Sequence, residues 1–257
     1  MTYLIYDGTF EGFLSAVFDA YDLKLKEVQI KKEQDDLPDL FAQKIYVATV
    51  EEKSERVKKK LVDLLGNNGF KNLWKVTLSE LPTVEEVLWG VIQYAIKQNK
   101  NVLNDYGHLH VIQLNDILKK LSRERHRMTA FIRFQQAADG IYYATIEPDF
   151  DVLPLISNHF RNRYADQKWL IYDMRRNYAI YYDLNTVTPL EIQGMLRNDK
   201  AKNLPATLII DWDETEKEFQ KLWQNYFKST NIKSRKNTKL HLQHVPKRYW
   251  KYLTEKH

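Results

Sequence analysis

Residues 123–183 constrain the fold more than any other stretch, because they carry strand-like and helix-like segments in a fixed order. The turn signal Ala138-Asp139-Gly140 lies between two runs rich in β-branched and aromatic residues, which predicts a β-hairpin. The predicted elements follow in the order strand (129–134), strand (141–146), helix (151–165), strand (169–173) and strand (178–183). This order predicts a central antiparallel sheet with a helix on one face, which is an α+β fold.

The rest of the chain is predicted to surround this sheet with N-terminal and C-terminal helices. We predict an α/β part over residues 1–122 and an α+β part over residues 123–257, which together form two domains or one continuous domain. Outside the central block the predictions are a polar loop at 27–40, short helices at 188–196 and from Pro246, a strand at 207–210 and a helix at 216–227.

The chain of 257 residues contains no cysteine. Disulfides, cysteine nucleophiles, zinc–thiolate sites and iron–sulfur clusters held by this chain are therefore excluded. The N-terminus has no basic segment followed by an apolar core, and no uncharged apolar run is long enough to cross a bilayer. We therefore expect a cytoplasmic protein that holds no metal and no cofactor and does not associate with a membrane.

The positive charge is concentrated near the C-terminus. The formal net charge is +5, yet residues 215–257 alone contain 11 Lys and Arg against 3 Asp and Glu. A basic segment on a near-neutral body favours a polyanionic partner, and nucleic acid is the expected one. The predicted nucleic-acid contacts lie at the start of the central block, in its last turn and in the C-terminal helix: Arg123, Arg125, Arg127, Arg175, Arg176, Lys247, Arg248 and Lys251.

No familiar catalytic signature is present in the sequence. It contains no Walker A loop, no GxGxxG, no HExxH and no GxSxG. If the chain is an enzyme, His126 or His159 is the expected general base and Arg175 and Arg176 are expected to clamp phosphate. The carboxylates that complete this set of catalytic candidates are Asp166, Asp173 and Asp183.

Several ordered motifs resemble one bacterial family, the probable DNA-metabolism proteins, also called the domain of unknown function 4130 class. The motifs are YDGTFEGF at 6–13, AVF at 16–18, HRM at 126–128, FIRF at 131–134, PLI at 154–156, HF at 159–160, DQKW at 166–169, IYD at 171–173 and RYWKYL at 248–253. They cover nearly the whole chain in order, which makes the resemblance specific.

The resemblance implies a role beside a catalytic partner. Members of the family tend to be encoded next to a radical-SAM protein thought to act in DNA repair or modification, and others are fused to a uracil-DNA-glycosylase-like domain. The resemblance assigns no catalytic residues, and the glycosylase-like domain is not expected in this chain. Our first hypothesis is an accessory protein that binds nucleic acid and a radical-SAM partner. The alternatives are an enzyme acting on DNA or a nucleotide, and a non-catalytic scaffold.

Overall fold

A computed structural model describes residues 1–36, 43–191 and 245–253 of the chain. Its internal contacts divide the protein into two compact units, Met1–Ser122 (unit 1) and Arg123–His257 (unit 2). Within the described ranges, no helix combines the length and the apolar character that crossing a membrane would need.

Unit 1 is built on a parallel sheet of three strands with the spatial order β2-β1-β3. Its elements are β1 (Thr2–Tyr6), α1 (Phe10–Asp22), β2 (Val28–Lys32), β3 (Gln43–Tyr46), α2 (Glu51–Thr77), α3 (Val84–Gln98) and the beginning of α4 (Leu109–Phe131). β2 lies in the segment that the sequence predicted as a polar loop, and that prediction was wrong. Only Ile30 of this strand is buried, so the apolar alternation that marks a strand is weak there.

Local signals explain where two of the helices begin and bend. Thr9 caps α1, since its Oγ1 accepts a hydrogen bond from the amide of Gly12 at 2.9 Å. Gly12 must be small, because a Cβ there would lie 2.2 Å from Oδ1 of Asp7. Gly66 interrupts α2 with φ 74° and ψ 167°, a conformation that glycine adopts without a steric penalty.

Unit 2 contains a mixed sheet of five strands in the order β4-β5-β6-β7-β8. Its elements are the end of α4, β4 (Gln135–Gln136), β5 (Tyr142–Ile146), α5 (Leu153–Arg163), β6 (Trp169–Asp173), β7 (Tyr178–Tyr182), β8 (Val187–Glu191) and a 3₁₀ helix (Lys247–Tyr252). The protein is thus α+β with two sheets among its described residues. The second sheet is not wholly antiparallel as predicted, because β5 and β6 run parallel with α5 between them.

The prediction of a strand at residues 129–134, the first strand of the central block, was wrong. Helix α4 continues to Phe131, and only Gln135 and Gln136 pair with β5. Leu114, Leu121 and Met128 are all buried at a spacing of seven residues, so one face of α4 stays apolar through this region. Burial of that continuing helical face outweighs the β-propensity of the run.

The predicted short helix at 188–196 is also wrong in its described part, since Val187–Glu191 is strand β8 and pairs antiparallel with β7. Asp183 stabilises the turn that reverses the chain between β7 and β8, because its Oδ1 accepts hydrogen bonds from the amides of Asn185 and Thr186 at 2.8 and 2.7 Å. Pro189 fits a strand that has a paired neighbour on one side only within the described residues. The elements predicted at 207–210 and 216–227 lie outside the described residues.

An aromatic cluster forms the core between α5 and the sheet of unit 2. Phe160 is buried and its ring lies 5.6 Å from that of Phe134 and 6.2 Å from that of Trp169. Among the apolar side chains of the central block, Phe160, Leu170 and Ile180 are buried, whereas three are only half-buried: Phe131, Ile141 and Leu155.

Candidate nucleic-acid interface

The parallel pair β5 and β6 brings two chain segments to one edge of the sheet. Because the strands run in the same direction, the loop 147–152 after β5 and the turn 174–177 after β6 leave at the same end. The amide of Met174 donates to the carbonyl of Ile146 at 2.9 Å, which joins the two exits. In sheets with parallel strands, ligands commonly bind beyond the carboxyl ends of the strands.

Asp173 organises the turn after β6. This carboxylate is fully buried at the end of the strand. Its Oδ1 accepts the amides of Arg175 and Arg176 at 2.8 and 3.2 Å, and its Oδ2 accepts Nη1 of Arg176 at 2.8 Å. A buried carboxylate is stable only when it is paired in this way.

The two arginines of the turn reach across to the loop after β5. Arg175 donates from Nη1 to the carbonyl oxygen of Asp149 at 2.9 Å, and Arg176 donates from Nη2 to the same oxygen at 3.2 Å. Arg176 is largely covered, whereas Arg175 is exposed and its guanidinium bonds here to a carbonyl and not to a carboxylate. Arg175 therefore remains available for an anionic ligand.

Glu124 of α4 fixes the C-terminal 3₁₀ helix to the same edge. This glutamate is 2% exposed, and its Oε1 accepts the hydroxyl of Tyr249 at 2.5 Å and the amide of Asp149 at 2.9 Å. Nη2 of Arg248 lies 3.3 Å from Oε2 of Glu124, and Nη1 lies 2.5 Å from Oδ2 of Asp149. Burial, followed by the hydrogen bond to Glu124, holds the pKa of Tyr249 well above its usual range.

A second set of contacts ties the 3₁₀ helix to the loop after β5. Both Lys251 and the hydroxyl of Tyr252 donate to Oε2 of Glu147. These two hydrogen bonds lower the pKa of Glu147, and the bond from Lys251 contributes most. Partial desolvation of the carboxylate opposes the shift but does not reverse it. In the same loop Asp151 accepts the hydroxyl of Tyr178 at 2.5 Å, and burial together with this bond raises the pKa of Tyr178.

We call these residues at the carboxyl ends of β5 and β6 the carboxyl-edge cluster. It comprises Glu124, Arg127, Glu147, Asp149, Asp151, Asp173, Arg175, Arg176, Tyr178, Arg248, Tyr249, Lys251 and Tyr252. Its arginines are held by carbonyls and carboxylates on helices and strand ends, an arrangement suited to binding a polyanion in a fixed geometry. Among the described residues, no group of three or more His, Asp or Glu side chains is arranged to hold a metal ion.

The structure brings together five of the predicted cations and one of the predicted carboxylates. Arg175, Arg176, Arg248, Lys251 and Asp173 make the contacts given above, and Arg127 lies 3.6 Å from Glu124. Three further predicted cations are exposed near these elements, with Arg123 and Arg125 on α4 and Lys247 at the start of the 3₁₀ helix. The positive charge predicted for the C-terminal helix is therefore partly neutralised by Glu124, Glu147 and Asp149.

The other catalytic candidates lie elsewhere. Asp183 follows β7, which runs antiparallel to β6, so it leaves the sheet at the end opposite Asp173. Asp166 is exposed just before β6, also away from the carboxyl end of that strand. His126 and His159 are exposed on α4 and α5, and His159 lies edge-on to the neighbouring ring of Phe160. Their catalytic roles stay predictions.

Apart from Asp173, the acidic and tyrosine members of the carboxyl-edge cluster were not identified from the sequence. Glu147, Asp149 and Asp151 alternate in the loop after β5, and such alternation is also common in solvated loops. Glu124 carried a clearer signal, because it lies three residues after Leu121 and four before Met128, on the buried face of α4. A charged residue in that position predicts a buried partner.

Residues 82–255 match the model of a family described as a domain of unknown function, DUF4130. The chain belongs to this family. The match confirms the domain-of-unknown-function 4130 class predicted from the sequence motifs and includes every residue of the carboxyl-edge cluster, whereas the motifs at residues 6–13 and 16–18 precede the matched range. Comparison with curated proteins gives no significant match.

Proposed function

We propose that this DUF4130 protein is an accessory factor of DNA repair or modification that binds nucleic acid and acts beside a catalytic partner of the radical-SAM type. The observation that carries the proposal is the gathering of arginines at the carboxyl-edge cluster. Arg175 in the turn after β6 and Arg248 in the 3₁₀ helix are both exposed and both touch Asp149. Exposed, pre-oriented guanidinium groups match the geometry of phosphate oxygens.

The buried carboxylates of the carboxyl-edge cluster favour a binding function over a catalytic one. Asp173 and Glu124 each accept several donors and hold arginines in position. A general base needs a free lone pair within reach of a substrate proton, and neither His126 nor His159 belongs to this cluster. The dispersal of the candidate acids and bases therefore favours an interface, and the chemistry is assigned to the partner.

Fluorescence-anisotropy titration of single- and double-stranded oligonucleotides at several salt concentrations tests the proposal. The informative variant replaces Arg125, Arg175 and Lys247 by Gln, since these exposed cations do not neutralise a buried carboxylate. Each phosphate contact contributes about 0.7–0.9 to the salt slope of log affinity, so losing three should flatten it by roughly 2–3 units. Affinity should fall about equally for every base sequence, because phosphates carry no base information.

The matched control replaces Arg161, Arg163 and Lys168 by Gln. These cations are also exposed and change the net charge equally, but they lie at the end of α5 and before β6, away from the carboxyl ends of the strands. The proposal is refuted if the two triple variants lose affinity equally, or if the parent binds neither oligonucleotide at low salt.

The partner is tested by pull-down from the native cell with and without nuclease treatment. A radical-SAM protein that remains bound after nuclease treatment is expected for a direct contact. Its loss after nuclease treatment would mean that nucleic acid alone links the two, and its absence from both samples would remove the partner from the proposal.

A further inference from the structure

A groove of about 370 Å³ lies in unit 1 among helices α1, α2 and α3. Its base is aliphatic and is formed by Val17, Val57, Leu61 and Ile96. Val17 and Leu61 are fully buried and belong to the core of the unit, so the base of the groove is rigid. A volume of this size is within the range of small-ligand sites and accepts a planar ring.

One wall of the groove presents aromatic rings. Tyr21 is 42% exposed, and its ring is held edge-on by Trp89 with a centroid distance of 5.5 Å. Phe18 lies one turn earlier on α1, with the guanidinium of Arg56 placed 5.0 Å over its ring. An exposed aromatic ring that is already fixed in place loses little conformational entropy when a second ring stacks on it.

The rim of the groove is positively charged. Arg56 and Lys60 lie four residues apart on one face of α2, about 6 Å along the helix axis. Their described contacts are with neutral groups, namely the Phe18 ring and Oδ1 of Asn99 at 3.2 Å. Asp22 also lines the groove, so the two cations exceed the acidic charge of the lining.

We infer that this groove binds single-stranded nucleic acid, with one base stacked on Tyr21 over the aliphatic base and the adjoining phosphates at Arg56 and Lys60. Stacking on an aromatic ring beside a basic track is how proteins bind single strands without reading their sequence. The axial separation of Arg56 and Lys60 is close to the spacing of successive phosphates in an extended strand. An acidic peptide would also satisfy the cations, but the fixed, exposed ring favours a planar partner.

This inference rests on the proposed nucleic-acid partner but on different residues and a different unit. The test compares a labelled oligothymidylate strand with a strand of equal length whose sugars carry no bases. The parent should bind the thymine strand roughly 5- to 150-fold more tightly, the contribution of one stacked base. Tyr21→Ala should abolish this preference and leave binding of the abasic strand unchanged.

A second variant tests the rim independently of the stacking residue. Replacing Arg56 and Lys60 by Gln should weaken binding of both strands and flatten the salt slope by about 1.4 units, the value for two single-strand phosphates. The matched controls are Tyr106→Ala, which removes another exposed tyrosine of unit 1, and the pair Lys59→Gln and Lys71→Gln, which removes two exposed cations of α2 that do not line the groove.

The outcomes separate the two proposals. If the parent binds both strands equally and loses affinity only with the Arg125, Arg175 and Lys247 variant, the proposed function stands and the groove inference is wrong. If the parent prefers the thymine strand and Tyr21→Ala keeps the preference, a different site stacks the base and the inference is wrong. A third outcome is that the parent binds no oligonucleotide but binds an acidic leucine-rich peptide, and that Tyr21→Ala loses this binding. This result would assign the groove to a peptide and overturn both the groove inference and the proposed nucleic-acid function.

Discussion

Replacing Glu124 by Ala should be among the most destabilising single changes in unit 2. The carboxylate is 2% exposed and accepts the Tyr249 hydroxyl at 2.5 Å and the Asp149 amide at 2.9 Å, with Arg248 at 3.3 Å. Each hydrogen bond to a charged group contributes about 1.5–3 kcal/mol. Removing the acceptor leaves the buried Tyr249 hydroxyl with no acceptor for its proton and the Asp149 amide without this partner, so we expect a loss of about 3–5 kcal/mol, as for other broken buried pairs.

The assay is urea denaturation followed by hydrogen–deuterium exchange of the peptide that covers residues 245–253. The loss should lower the urea midpoint by at least about 1 M, given a denaturant dependence of about 1–3 kcal/mol per M. Exchange should rise specifically at the 3₁₀ helix, because Tyr249 and Leu253 are its buried contacts. Tyr249→Phe keeps the ring and should cost at least about 1.5–3 kcal/mol, the value of one hydrogen bond to a charged group, because the hydroxyl donates to Glu124 and also accepts from Arg248.

The control is Glu147→Ala. Glu147 also accepts from the 3₁₀ helix, through Lys251 and Tyr252, but it is exposed. An exposed ion pair contributes about 0–1 kcal/mol. If Glu124→Ala and Glu147→Ala shift the midpoint equally, or if exchange at residues 245–253 is unchanged by Glu124→Ala, burial of the carboxylate does not govern its contribution and the reasoning fails.

Four further predictions follow from the described contacts. Phe160→Ala should cost about 3–5 kcal/mol in a thermal or urea melt, because the ring is buried among aromatic side chains; an unchanged melt would contradict this packing. Asp173→Ala should cost about 3–5 kcal/mol, since it leaves Arg176 without its buried partner; a melt that matches the parent would contradict that role. Burial raises the pKa of Tyr252 to about 12, so its stabilising effect should be complete below about pH 10 and lost as the pH rises toward 12; near-ultraviolet titration of Tyr252→Phe against the parent measures this, and an unchanged curve would contradict it. The purified protein should release no uracil from DNA, and abasic-site formation that disappears with His126→Ala would promote the enzyme hypothesis.

Elements whose local pattern and tertiary role agree were predictable from the sequence. β6 occurs at Trp169–Asp173 as predicted, and β7 ends one residue before the predicted boundary. α5 is Leu153–Arg163, inside the predicted range. The two strands combine strong β-branched or aromatic content with turn residues nearby, and α5 buries Leu153, Ile156 and Phe160 on one face, so local pattern and burial favour the same structure.

A short hairpin of β4 and β5 forms around the predicted turn, but its first strand was wrongly placed at 129–134, where local propensity and tertiary burial disagree. Residues 129–131 are strand-like by composition, but the buried face of α4 continues through Met128. The helical continuation is marked in the sequence by Glu124, which shares the buried face of α4 with Leu121 and Met128. β5 pairs antiparallel with the short strand β4 on one side and parallel with β6 on the other, and this parallel pairing creates the carboxyl edge.

The carboxyl-edge cluster depends on the direction of β5 relative to β6. Local sequence patterns do not determine that direction, so they could not predict the cluster. In an antiparallel arrangement of β5 and β6, the loop 147–152 and the turn 174–177 would leave at opposite ends of the sheet, and Arg175 could not reach Asp149. The parallel pairing brings them within 2.9 Å. Glu124 and the 3₁₀ helix add residues more than 100 positions apart in the chain. The candidate residues, which were selected by residue type, therefore fall into two groups in the structure. Those at the carboxyl ends of β5 and β6 contact one another, whereas others, such as Asp183 at the opposite end of the sheet, do not.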